Sequence, residues 1–278
     1  MSNVILHYLT IFVKIYAKGC ESLNYTEKIY NYLTVNDIKI HHYSSINSTN
    51  IKLKEEAKNG ALEGTVIIAD SQFQGHGRFD RVFHSPKNGI YMSILLRPRF
   101  SGFNATLVTT AAAVAVAKAV EDLSGKETKI KWVNDVLISG KKICGILTEG
   151  AINPETLTPD YIVVGIGINA FKPQDGFDPE IQNIADAVFD TESEDLKARL
   201  IAETINNFMN YYTKLTDKVF LECYRSRSAV IGKEITVIKN TIHYPAKALE
   251  IDNDCRLLVE YPDKSKEDLS SGEISIKL

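Results

Sequence analysis

The chain has 278 residues, 44% hydrophobic and 24% charged, a balance that excludes a disordered chain and supplies a core without disulfide staples. A net charge of −3 and a pI near 6.1 exclude the overall basic surface of a general nucleic-acid binder. Its four cysteines, Cys20, Cys144, Cys223 and Cys255, form no Cys-x-x-Cys and read as free thiols of a reducing compartment.

Residues 1–36 hold apolar and tyrosine-rich patches, with a helix expected over 26–34. The apolar opening Val4–Ala17 lacks a basic start and is broken by His7 and Lys14, unlike a secretory leader. Ile38–Tyr43 alternates as a strand. Ser48-Thr49-Asn50 reads as a helix start, its hydroxyls capping open backbone N–H groups, and Asn59-Gly60 ends that helix. Thr65–Ala69 is a short apolar strand, and it runs straight into Gln72-Phe-Gln-Gly75-His76-Gly77-Arg78-Phe-Asp-Arg81.

Ile90–Leu96 is a further strand. A helix is expected over Ala105–Leu123; its alanine-rich stretch Leu107–Val120 is too short to cross a bilayer. Strands over Lys129–Ile138 and Lys142–Glu149 are joined at Ser139-Gly140. Tyr161–Ile168 is another strand, and helices follow over Leu196–Lys214 and Phe220–Ser226. Beyond Val230 the strands shorten to Ile235–Ile238, Ala246–Ile251, Arg256–Tyr261 and Ile274–Lys277, the spacing of a small β-barrel. This divides the chain into an extension (1–36), a main domain (37–228) and a small β-domain (229–278). No segment reads as membrane-spanning, and the expected location is cytoplasmic.

The chemistry concentrates in the glycine loop and the two strands after it. Gly75 and Gly77 let backbone approach a ligand, and Arg78 and Arg81 carry fixed charge in a fork that suits phosphate oxygens. An ordinary surface turn can carry the same residues. No Gly-x-x-x-x-Gly-Lys-Ser/Thr occurs, so the chain is not a P-loop protein. Gly165-Ile-Gly167-Ile-Asn169-Ala170 resembles a dinucleotide fingerprint, but two prolines and a glycine follow where a helix must begin. The glycines there instead let a strand pass close to a ligand or to another strand. In Lys131-Trp132-Val133-Asn134-Asp135 a lysine, an amide and a carboxylate share one segment. A three-residue turn would pair Lys142 with Ile138, facing Asn134. A two-residue turn would group it with Asp135 and Lys131.

Together these stretches resemble the biotin–protein ligases. Ser48-Thr49-Asn50, the Gln72–Arg81 loop, Lys131-Trp132-x-Asn134-Asp135, Gly140-Lys-Lys142-x-x-Gly145-Ile-Leu-x-Glu149 and Gly165-x-Gly167-x-Asn169 stand in the family's order and spacing. The resemblance implies an α+β fold: a mixed β-sheet with flanking helices, of the class II aminoacyl-tRNA synthetase and biotin synthetase kind, plus an SH3-like C-terminal barrel. It implies MgATP-dependent activation of biotin to biotinyl-AMP, then transfer to one lysine of a biotin carboxyl carrier domain.

By motif match, Ser48, Thr49, Gln72, Gly75, His76, Lys142 and Gly145 would meet biotin. Arg78, Arg81, Phe83, Lys131, Asn134 and Asn169 would meet ATP. Arg78, Arg81, Lys142 and Asp135 would carry catalysis, with no metal held by the protein alone. Four positions depart from the family: His76 stands where arginine is common, Val133 for proline, Phe83 for an adenine-stacking tryptophan, and Asn47 for an acidic residue. No basic two-helix motif precedes the core, so DNA binding is not expected. The expected assembly is a monomer or homodimer. The alternatives are a lipoate–protein ligase, or a biotin-responsive regulator without catalysis.

Overall fold

The structure, a computed structural model, describes residues 24–98, 105–153, 155, 158–239, 241–270 and 272–276. Most of the N-terminal extension, residues 1–23, and the end of the last expected strand, Lys277, therefore lie outside the described residues. Among the described residues the main sheet has seven strands: β1 (Lys39–Tyr43), β2 (Thr65–Ala69), β3 (Ile90–Leu96), β4 (Lys129–Lys131), β5 (Asp135–Ile138), β6 (Lys141–Ile152) and β7 (Pro159–Ile168). Their order is β1-β2-β3-β7-β6-β5-β4, parallel between β1 and β2 and antiparallel elsewhere. Helices are α1 (Tyr25–Tyr32), α2 (Thr49–Lys58), α3 (Ala105–Ser124), α4 (Glu194–Tyr212) and α5 (Leu221–Ser226).

The sheet is covered on both faces, and the residue pattern says why. Along β2, Val66 and Ile68 face the alanine-rich wall of α3 and the core beneath α4, while Ile67 and Ala69 pack with Leu53 and Ala57 of α2. Alanines on α3 let that long helix lie close to strands, and its residues Leu107–Ala117 are buried without a break. Asn24 and Glu27 close a reciprocal capping box at the start of α1. From that helix Tyr30 reaches the outer strand: its hydroxyl accepts a hydrogen bond from Ile40 N at 2.9 Å. On the opposite border, β4 is paired by the chain leaving α5, with Ile130 N donating to Arg227 O at 2.7 Å and Ala229 N to Ile130 O at 2.8 Å.

Two expectations need correction. The single strand over Lys129–Ile138 is two strands: the chain reverses at Trp132-Val133-Asn134, so that Lys131 pairs with Asp135. The Trp132–Val133 peptide is cis. Buried Trp132 and Val133 anchor this turn in the core, which is why it reads as strand-like apolar sequence. The C-terminal part has five strands rather than four: β8 (Glu234–Lys239), β9 (Ile242–Ile251), β10 (Leu257–Glu260), β11 (Lys266–Leu269) and β12 (Glu273–Ile276), ordered β11-β10-β9-β8-β12 and all antiparallel. The missed strand, Lys-Glu-Asp-Leu, is polar because it lies at the edge of the sheet and buries only Leu269. Inward residues of this second sheet, among them Val237, Ala248 and Leu257, belong to the same apolar cluster as α3 and α4.

Candidate active site

A cavity of about 290 Å³ opens on the α2 side of the main sheet. Its floor is bare because glycines fall there. Gly145 of β6 pairs with Gly167 of β7, and Leu147 with Gly165. A Cβ on Gly165 would sit 2.1 Å from Asn50 Oδ1, and one on Gly167 would sit 2.5 Å from a ring carbon of Phe83. The glycines read from the sequence as places of close approach are therefore where two side chains lie directly on the strands.

Of the fourteen residues expected at a site, thirteen line this cavity; Gly75 does not. Gly75 packs behind the wall, where a Cβ would come within 2.5 Å of Phe83 O and Ser85 Oγ, and its carbonyl accepts from Phe83 N at 2.9 Å. Its smallness shapes the loop rather than the cavity surface.

One end of the cavity is lined by neutral polar side chains, with the ion pair of Glu149 and Lys54 behind them. Ser48 begins α2 but its hydroxyl does not cap the helix, contrary to expectation. Gln72 takes that place: its Oε1 accepts from Thr49 N at 2.8 Å and lies 3.2 Å from Thr49 Oγ1, while its Nε2 donates to Ser85 Oγ at 3.0 Å. Ser93, the one polar residue of β3, donates to Asn50 Oδ1 at 2.6 Å and stands 2.7 Å from Thr49 Oγ1. Asn50 Nδ2 then donates to Glu149 Oε2 at 2.8 Å, and Lys54 Nζ reaches Glu149 Oε1 at 2.7 Å. His76 Nε2 is 3.8 Å from the same carboxylate. Burial works against the Glu149 charge, yet the bonds from Lys54 and Asn50 outweigh it and hold its pKa below the ordinary glutamate range.

The other end is charged. Ser139 and Gly140, both at positive φ, make a two-residue turn that pairs Ile138 with Lys141, so the two-residue register holds. A bulge follows, because Lys142 also bridges to Ala185: its N donates to Ile184 O at 2.7 Å and its O accepts from Asp186 N at 3.0 Å. The Lys142 ammonium thereby meets Asp135 Oδ1 at 2.7 Å. Asn169 braces this bulge through Nδ2, which donates to Asp186 O at 3.1 Å and lies 3.4 Å from Lys142 O.

Arg78 reaches in from the glycine loop. Its Nη1 donates to Asn134 Oδ1 at 3.3 Å and its Nη2 to Gly272 O at 2.9 Å. Arg81 and Lys131 line the same end, and Phe83 lies over Gly167 with Tyr91 edge-on to it at 6.3 Å. At the rim, half-buried His84 and exposed Asp178 and Glu180 place one donor atom each within 4.8 Å of one another, a set that could hold a cation.

Sequence reasoning carried Asn50 and Glu149 only as motif residues without a role at the site, passed over Ser93, and gave no hint of Gly272 and Ile274, which the second sheet adds to the wall. A lone serine within the all-apolar strand Ile90–Leu96 was the available signal for Ser93. Nothing local marks Gly272.

The "Bifunctional ligase/repressor BirA" of Bacillus spizizenii is 35% identical over 236 residues, covering 83% of this chain and 72% of that protein. The chain belongs to the biotin protein ligase family. The Biotin/lipoate A/B protein ligase family matches residues 43–169, and the Biotin protein ligase C terminal domain matches residues 230–277. The "Biotin--[acetyl-CoA-carboxylase] ligase" of Mycobacterium tuberculosis is 30% identical over 197 residues, covering 68% of this chain and 71% of that one. The biotin protein ligase of Aquifex aeolicus, solved in complex with biotin and ATP, shares 25% identity with a TM-score of 0.70, over 86% of this chain and 98% of that one. The mixed sheet with flanking helices and the SH3-like second sheet are thus the biotin protein ligase fold, and the chain is an ATP-dependent ligase of that family.

Proposed function

We propose that this ligase condenses biotin with ATP to biotinyl-AMP and then passes biotin to a lysine of a biotin carboxyl carrier domain. The observation that carries the reading is the polarity of the cavity. A neutral end of hydroxyls and an amide suits an uncharged ureido head, and a cationic end at Lys142 and Arg78 suits a carboxylate meeting a triphosphate.

In the first step a biotin carboxylate oxygen attacks the α-phosphorus, and the bond to the β,γ-phosphates breaks. Pyrophosphate leaves, and a mixed anhydride remains. Two anions must approach, so fixed cations have to offset their repulsion. Lys142 would bridge carboxylate and α-phosphate, and Arg78 and Arg81 would hold the remaining phosphate oxygens. Asn134 would face the phosphates or the hydrated magnesium that travels with them, an oxygen-loving ion that offsets charge on the departing pyrophosphate. In the second step the acceptor amine attacks the biotinyl carbonyl carbon, the bond to AMP breaks, AMP leaves, and the amine's proton passes to solvent. Asp135, 2.7 Å from Lys142, would orient that amine once ligand occupies the lysine.

The reading is tested by weighing an acceptor domain after incubation with protein, MgATP and either biotin or lipoate. A mass gain of one biotinyl group is expected; a gain with lipoate alone overturns the assignment. Arg78→Ala and Lys142→Ala should each cut biotin-dependent pyrophosphate release by at least about 10²–10³ while leaving the circular dichroism spectrum unchanged. Near-normal release in both would remove the charged end from the mechanism.

A further inference from the structure

The turn Trp132-Val133-Asn134 carries the residue on which Arg78 leans, and it is gripped from outside the main sheet. Trp132 Nε1 donates at 2.9 Å to Cys255 O, in the turn between β9 and β10. Tyr224 of α5, only 1% exposed, donates its hydroxyl to Val133 O at 3.1 Å. Burial raises the Tyr224 pKa well above its ordinary value, so the hydroxyl keeps its proton and remains a donor. On the cavity side Asn134 exchanges two bonds with Ile146: Nδ2 to Ile146 O at 2.9 Å and Ile146 N to Asn134 O at 3.1 Å. Arg78 Nη1 completes the series on Asn134 Oδ1.

We propose that Tyr224 is a positioning residue for the nucleotide end of the cavity, acting through the Val133–Asn134 peptide on Asn134 and Arg78. The proposal rests on the nucleotide-binding role proposed above for Arg78. The peptide is planar, so the Val133 carbonyl and the Asn134 amide nitrogen turn together. Val133 is buried, and without the Tyr224 hydroxyl its carbonyl loses this donor. Relief by rotation of that peptide swings Asn134, and with it the acceptor of the Arg78 guanidinium. The neutral end stands on a different set of bonds, those among Gln72, Thr49, Ser93 and Asn50, which Tyr224 does not touch.

A structural role alone would weaken both substrates together; a positioning role weakens one. Tyr224→Phe keeps the ring and deletes the hydroxyl. Tyr212→Phe is the matched control: Tyr212 is also buried, its hydroxyl bonds Glu63 Oε2 at 3.1 Å, and it lies away from the cavity. Biotin affinity is measured by calorimetry, ATP KM and kcat by biotin-dependent pyrophosphate release, and Tm for all three proteins. Tyr224→Phe should raise the ATP KM about tenfold with biotin affinity within about twofold of wild type. Tyr212→Phe should lower Tm without that selective change.

An unchanged ATP KM in Tyr224→Phe, equal losses for ATP and biotin, or the same selective loss in Tyr212→Phe would each overturn the proposal. If wild-type protein itself binds biotin yet releases no pyrophosphate, it is the function reading that fails. Calorimetric ATP affinity of wild type and Tyr224→Phe then decides the positioning role separately.

Discussion

Glu149 illustrates how much a single side chain can hold. Its carboxylate joins the start of α2, through Asn50 and Lys54, to the glycine loop near His76. Its folded-state pKa lies below the ordinary value near 4.5, so its stabilisation is complete above that value and is lost as pH falls through the depressed one. Glu149→Gln should therefore lower Tm at neutral pH and flatten the fall of Tm below about pH 4.5; an unchanged acid limb would show that the pairing contributes nothing. Gly165 makes a complementary case, since a methyl there would meet Asn50 Oδ1 at 2.1 Å. Gly165→Ala should displace Asn50 from Ser93 and Glu149, costing about 1–3 kcal/mol in urea unfolding and weakening biotin binding; stability within error of wild type would mean that Asn50 moves freely. At this scale the sequence was legible where charge or a missing Cβ declared itself, as at Arg78, Lys142 and Gly167. It was silent on Gly272, because a backbone carbonyl brought in from far along the chain leaves no local mark.

Among the elements, hairpins divide the legible from the illegible. Ser139-Gly140 announced a tight turn, and the two-residue register that groups Lys142 with Asp135 was one of two options open from spacing alone. The bulge that completes the grouping depends on Lys142 pairing with Ala185, a tertiary contact that spacing cannot encode. The reversal at Trp132-Val133-Asn134 was hidden for a related reason: a turn buried by its surroundings carries apolar residues and reads as strand. The glycine loop makes its own prediction. A cavity of about 290 Å³ is at the small limit of the roughly 300–1,000 Å³ used for a single ligand, and Phe83 fills the floor beside Gly167. Residues 74–87, with Gly75 and Gly77 among them, are expected to move outward when a nucleotide enters. Biotin should then change the rate of trypsin cleavage at Arg78 and Arg81, and equal rates with and without it would argue for a rigid loop.

For the whole molecule, the second sheet is not an independent bead. Its inward residues share one apolar cluster with α3 and α4, and Thr110 and Trp132 bond across to Cys255. Thermal unfolding should show one transition by both tryptophan fluorescence and far-ultraviolet circular dichroism; two separated transitions would mean that the sheets unfold independently. Among the described residues no helix is long and apolar enough to cross a membrane. The broad architecture was legible because periodicity and turn residues mark most elements, whereas the contact between the two sheets is set by shape and could not be read.

The Tyr30 hydroxyl on Ile40 has a consequence of another kind. A seven-stranded sheet could in principle grow by recruiting strands at its two margins. Here a phenol occupies one outward amide of β1, and the segment leaving α5 zips onto β4. Among the described residues, each margin thus carries a cap from its own chain, which disfavours strand addition at those positions.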